Sequence, residues 1–167
     1  MVSARTSALM VLIAAATATL LLAHHADAGR VLSTVDLCQQ TDYPALCRTM
    51  VKSKVNAEKA TQSAINNLIL QTRDAKTSAS NVKADKSLMD VCNEMYEDAL
   101  SNLMTSLQNL KSHDKPSLQS NLSAVISDLE TCKDTFAESN AKLPFEKIIT
   151  LLEQMASNSL ALAAEVH

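Results

Sequence analysis

The chain has 167 residues, of which 47% are hydrophobic and only 2% aromatic, with one glycine (Gly29), three prolines and a formal charge of −3. That length makes one domain the natural expectation, and the near-absence of glycine removes the positions on which tight hairpins, phosphate-cradling loops and dinucleotide-binding turns depend. With a weak negative charge and no polybasic run, nucleic acid and anionic membrane are poor partners, and an acidic polysaccharide would be repelled.

The first element in chain order is Ser7–Ala23 (SALMVLIAAATATLLLA), an uninterrupted apolar and small-residue run that follows Arg5. It closes on Ala26-Asp27-Ala28, a small-x-small cleavage pattern, so residues 1–28 are expected to form a signal peptide. The rival is a membrane anchor. At 17 residues the run is at the lower limit for crossing a bilayer, and no stop-transfer charges follow it. Cleavage leaves residues 29–167, expected as one secreted domain without a membrane segment. Its 139 residues are enough to bury roughly two thirds of the unfolded chain's surface.

The rest reads as helix. Ala, Leu, Met, Lys, Gln and Glu are abundant, and these side chains lose little freedom in a helix. Residues 30–50 are expected to form a helical hairpin broken at Thr41-Asp42-Tyr43-Pro44, with Asp42 as a cap and Pro44 in the first turn of its second arm. Residues 51–166 are expected to form the bundle. A first long helix, Val51–Ala79, carries a weak small-residue stripe (Ala57, Ala64, Leu68, Ala75, Ala79) with Ile65 and Ile69 beside it. A second begins at Ser87, where Ser87 and Asp90 suggest a capping box, and carries Cys92, Tyr96, Ala99, Leu103, Leu107 and Leu110. After the turn Ser112–Pro116, a third repeats the pattern with Leu118, Leu122, Val125, Leu129, Cys132 and Phe136. The fourth opens at Pro144, poorly capped by Leu143, and shows Phe145, Ile148, Leu152, Met155, Ser159, Leu162 and Val166. These stripes and short connections predict an all-α fold, an up-and-down four-helix bundle preceded by a disulfide-closed N-terminal hairpin.

Four cysteines behind a signal peptide, Cys38, Cys47, Cys92 and Cys132, imply two disulfides. Three connectivities are possible, and sequence alone does not choose between them. Antiparallel helices would bring Cys92, near one helix start, beside Cys132, near the next helix end, which favours Cys92–Cys132 and leaves Cys38–Cys47.

No metal or cofactor is expected. The nearest cysteines are nine positions apart, and only His113 and His167 remain after cleavage, so zinc spacing is missing. Catalysis is not expected either: a triad needs a histidine against a nucleophile, and His113 lies in a turn while His167 ends the chain. The carboxylates at Glu97-Asp98 and Asp128-Glu130 read as solvated helix faces. Asn158 and Ser159, at the edge of an apolar stripe, read as hydrogen-bonded core positions. Asn121-Leu122-Ser123 is an N-glycosylation sequon, within a helix.

Four markers, taken in order, resemble the plant invertase and pectin methylesterase inhibitor domain family. They are the Cys-x8-Cys hairpin with Tyr43-Pro44, then Cys92-x3-Tyr96-Glu97-Asp98-Ala99, then Leu122–Ser127 leading into Thr131-Cys132 and Phe136, and last Ser157–Leu162. The likeness runs from Leu32 to Val166. It implies a four-helix bundle with a disulfide-closed hairpin, disulfides linking first to second and third to fourth cysteine, and a stoichiometric protein complex that inhibits a cell-wall carbohydrate enzyme in the apoplast. In methylesterase-inhibiting members the bundle packs across the enzyme's substrate cleft, and the hairpin is not the contacting part. Invertase-inhibiting members carry Pro-Lys-Phe before the third bundle helix. Here the matching residues are Pro116-Ser117-Leu118, which tilts the expected partner toward pectin methylesterase, with invertase the alternative. Methylesterase inhibitors often show Ala-Leu-Thr where this chain has Val125-Ile126-Ser127, and Ser127 keeps the hydroxyl. Polar positions off the apolar stripes, Glu94, Glu97, Asp98, Ser101, Ser127, Glu130 and Thr131, are the expected contacts. A ligand-binding bundle with a cavity in its alanine seam is the rival from another class. A methylesterase pro-region is a further one, disfavoured because the sequence stops just after the fourth helix.

Overall fold

The computed structural model describes residues 36–52 and 55–167, so the expected signal peptide lies outside the described residues. A 3-10 helix, Leu37–Gln40, leads to α1 (Pro44–Met50), followed by four long helices: α2 (Ala57–Ala79), α3 (Lys86–Lys111), α4 (Lys115–Glu138) and α5 (Glu146–Ala164). Short connections make each long helix antiparallel to the next. They close into a ring in which α2 packs on α3, α3 on α4, α4 on α5 and α5 back on α2. The α3–α4 pair is the most extensively packed. This is the expected all-helical architecture of four-helix bundle and hairpin.

Most helix starts lie a few residues from where sequence pattern places them, and capping explains the differences. α2 begins at Ala57, not Val51. Val51 is extended, and Asn56 accepts the Lys59 amide as N-cap. The Met50 carbonyl is then taken by the side chains of Ser63 and Asn67, which fixes the hairpin to α2. At α3 the cap is Asp85 rather than Ser87. Asp85 accepts the hydroxyl and amide of Ser87 and the amide of Leu88, which hold its carboxyl below its ordinary value. Asp90 closes no capping box and instead pairs with Lys86 at 2.6 Å. Asp114 caps α4, and its bonds to Ser117 hold it low as well. α5 opens at Glu146 without a side-chain cap, because Phe145 offers no acceptor.

Three stripe positions also move. Leu107 is half-buried while Ser106 is fully buried, as expected when a 3.6-residue period drifts off a heptad. Ile149 is in the core and Ile148 is 37% exposed. Ala57, the first residue of α2, is half-buried, whereas Val166 is buried as expected, just past the end of α5. Ala64, Ala75 and Ala79 of α2 fulfil their expected role, and with Ala60 in place of the expected Ala57 they are at most 4% exposed, so neighbouring helices fill that seam. Tyr96, Phe136 and Phe145 form the aromatic end of the core, with ring centroids 6.3 Å apart in both Phe145 pairs.

Two helices end without glycine. His113 (φ 57°) and Asn140 (φ 50°) take the left-handed conformation. The amide after each reaches five residues back, Asp114 to Asn109 and Ala141 to Phe136.

Disulfides Cys38–Cys47 and Cys92–Cys132, with Cα–Cα distances of 5.5 and 4.7 Å, close the hairpin and staple α3 to α4. The hairpin sits on α5 and α2. Asp42 does not cap α1. It accepts the Ser157 hydroxyl at 2.6 Å, while Asn158 on α5 accepts the Tyr43 amide and donates to the Tyr43 carbonyl. Asn158 and Ser159 are both fully buried and hydrogen-bonded. No described helix is long and apolar enough to cross a membrane.

Candidate functional site

The outer face of α3 and α4 gathers the candidate contact residues. An amphipathic helix turns its apolar stripe inward and leaves the opposite face to solvent. Glu94, Glu97, Asp98 and Ser101 on α3, and Ser127, Glu130 and Thr131 on α4, are all exposed. They do not form one cluster. Glu97 leans toward α2, where Lys76 holds it at 2.6 Å. Glu130 stands one position, about 100° of helix turn, from Thr131, on the flank where Lys133 reaches Glu153 of α5 at 2.9 Å. Glu94, one helical turn from Asp98 on the same face of α3, remains with Asp98 and Ser101 on that helix, and Ser127 and Thr131 remain on α4.

The seam itself is polar. Asn102 of α3 donates its side-chain amide to the Asp128 carboxylate of α4 at 2.9 Å. Both residues are half-buried, so Asp128 is not the solvated carboxylate that its sequence position suggests. Burial pushes the Asp128 carboxyl above its ordinary value. The Asn102 hydrogen bond opposes that shift, and the nearby Asp98 charge adds to it. Sequence reasoning missed this pair because its members lie 26 residues apart. One usable signal was present: Asp128 and Asn102 each occupy a flank beside their helix's stripe, where two antiparallel neighbours meet.

Along α4 the hydroxyls are turned inward onto their own backbone. Ser123, Ser127, Thr131 and Thr135 each donate to the carbonyl four residues back, at 2.8 to 3.5 Å. Met104, 47% exposed, is the large apolar side chain that α3 presents to solvent. Asn121 of the sequon is half-buried, with its amide nitrogen donating to the Ser117 carbonyl at 2.9 Å.

At the start of α4, Pro116 is exposed, the Ser117 amide is held by Asp114, and Leu118 is fully buried. His113 is exposed in the preceding turn. Among the described residues no group of three His, Cys, Asp or Glu side chains is placed to hold a metal ion. The exposed side chains of α3 and α4 offer carboxylates, hydroxyls and the Met104 thioether.

The family model for the plant invertase/pectin methylesterase inhibitor matches residues 33–162. Two Arabidopsis thaliana proteins that carry the name pectinesterase/pectinesterase inhibitor, numbers 13 and 26, are similar in sequence. The first is 28% identical over 75% of this chain, the second 30% identical over 85%. The chain spans only 24% and 17% of their lengths. Two crystal structures share the fold, a mutant form of a pectin methylesterase inhibitor from Arabidopsis and a pectin methylesterase inhibitor from Arabidopsis thaliana. Their TM-scores are 0.65 and 0.61 at 15% and 16% identity, covering 78% and 83% of this chain and 95% and 98% of those chains.

Proposed function

Because the chain belongs to the plant invertase/pectin methylesterase inhibitor family, we propose that it is a secreted protein inhibitor of pectin methylesterase. It acts through a stoichiometric, non-covalent complex in the cell wall, with the α3–α4 face laid over the enzyme's substrate cleft. Residues 1–28 serve as the signal peptide and residues 29–167 as the inhibitor domain. The chain itself performs no catalysis.

The family match over residues 33–162 carries this reading. Three features of the molecule support it. The expected contacts are exposed on the two helices that are most tightly joined, by packing and by the Cys92–Cys132 bond. A contact surface on such a pair is pre-organised, so little freedom is lost on binding. Leu118, at the position where invertase-inhibiting members carry phenylalanine, is a core residue and cannot reach a partner without unfolding the start of α4. The burial of Leu118 favours methylesterase over invertase. The acidic balance of the chain would also speed encounter with a basic enzyme at low ionic strength.

Titration of the oxidised protein into a plant pectin methylesterase and into an acid invertase tests the assignment. Loss of methylesterase activity that ends at one equivalent, with invertase untouched, is expected. Inhibition of invertase alone would move the partner to the family's other target. No inhibition of either by a correctly folded sample would remove the inhibitor reading and leave a binding bundle to be characterised.

A further inference from the structure

We propose that Asp128 is a further determinant of target binding: positioned by Asn102 at the middle of the α3–α4 face, it receives a basic side chain, lysine or arginine, from the bound enzyme. This rests on the inhibitor reading above and names one contact within it.

Asp128 is half-buried, and among the described residues its hydrogen-bond partner is a neutral amide on one oxygen, Asn102 Nδ2 on Oδ2 at 2.9 Å. None of the ion pairs among the described residues includes it. The groups that face it from α3 are Asn102 and Asp98, and Asp98 repels it. From α5 the charged neighbour of α4 is Glu153, on the opposite flank and held by Lys133. A carboxylate in this setting is unfavourable at rest, because it has lost part of its water and gained a like charge instead of a cation. Asp98 lies near it, and Ser101, Ser127 and Thr131, close to Asn102 or Asp128 in sequence on the same two helices, are exposed. Asp128 keeps part of its surface exposed, and among the described residues its hydrogen bond is on Oδ2, so Oδ1 is the oxygen that would take an incoming donor.

An arriving ammonium or guanidinium group reverses the balance. The partial burial that penalises the lone charge also strengthens its attraction to a cation, and charge-assisted hydrogen bonds are about twice as strong as neutral ones. Binding is thereby linked to ionisation. In the free protein Asp128 takes up a proton at higher pH than an ordinary aspartate, and it must release that proton to hold a cation. Affinity should therefore fall as pH drops through the raised free-state pKa of Asp128, and flatten above it.

The test is Asp128→Asn, which keeps the shape and an acceptor for Asn102 while removing the charge. Stability is followed by thermal unfolding, and affinity for pectin methylesterase by calorimetric titration across about pH 4 to 7, the range in which a raised carboxylate titrates. The variant should be at least as stable as wild type at pH 7, bind at least about tenfold more weakly, and lose the pH slope. Asp128→Glu should restore the slope. Asp74→Asn on α2, which makes the same charge change away from the face, should leave affinity and slope as in wild type. Wild-type affinity or an unchanged slope in Asp128→Asn would overturn the assignment, as would a marked loss of stability, since the charge would then be serving the fold. A wild-type protein that inhibits no methylesterase would remove this inference together with the reading it rests on.

Discussion

Tyr96 shows what a single side chain can cost and gain. Its ring is 1% exposed and closes the aromatic end of the core beside Phe145, yet its hydroxyl is buried with no hydrogen-bond partner among the described residues. Burial pushes that hydroxyl well above its ordinary pKa. Tyr96→Phe is therefore expected to raise stability by about 1 kcal/mol, by removing an unsatisfied polar atom while keeping the ring. The sign of the pH effect follows. The unfolded chain ionises above about pH 10 and the folded one does not, so folding weakens as pH rises from there, and the variant should lack that part of the alkaline loss. Urea melts at neutral and alkaline pH would show both effects; a destabilised Tyr96→Phe would mean that the hydroxyl is satisfied. At this scale the sequence was partly legible. Asn158 and Ser159 could be read as hydrogen-bonded because polar residues inside an apolar stripe have few other ways to be buried. The flank positions of Asn102 and Asp128 were legible, but their pairing was not, since it depends on the register between two helices.

The helices themselves were legible in their interiors and less so at their ends. Stripes at three- and four-residue spacing identify what faces the core because burial of that face dominates helix stability. An end is decided by one hydrogen bond to one amide, and several Asp, Asn or Ser residues stand near each start. Asp85 wins over Ser87 because its carboxylate accepts from both the hydroxyl and the amide of Ser87 and also bonds Leu88. The helix stops are more unusual. A chain whose only glycine is Gly29 must turn out of α3 and α4 on His113 and Asn140, and each L-residue with φ near 50° to 57° is held against its steric preference. His113→Gly is predicted to stabilise the fold by about 1 kcal/mol through relief of that strain, less what glycine adds to the freedom of the unfolded chain. Chemical denaturation at fixed pH would read it. A loss instead would assign the imidazole a contact that the exposed turn does not show.

For the molecule as a whole, two covalent links act over different lengths of chain. In the chain-entropy account, the Cys38–Cys47 loop of about 10 residues and the Cys92–Cys132 loop of about 41 stabilise by about 2.7 and about 3.9 kcal/mol. Replacing Cys92 and Cys132 together by alanine should therefore cost more in unfolding free energy than replacing Cys38 and Cys47, with the bundle still folding. Denaturant midpoints of the two double variants would settle the order, and the reverse order would place the larger constraint in the hairpin. If the proposed inhibition is confirmed, the larger loss should also appear there, because the longer link joins the two helices of the proposed contact face.

The hairpin's seat on α5 has a consequence in time as well as space. Asn158 grips Tyr43, and Ser157 grips Asp42, across 115 positions of sequence. A polypeptide made from its N-terminus releases Tyr43 long before Asn158 exists, so the first structured part of this protein waits for the last. During that interval the Cys38–Cys47 bond, nine positions from one end to the other, is the hairpin's own tether, independent of everything downstream. Docking of the hairpin is then a late event, and it reports that the chain has been made at least as far as α5.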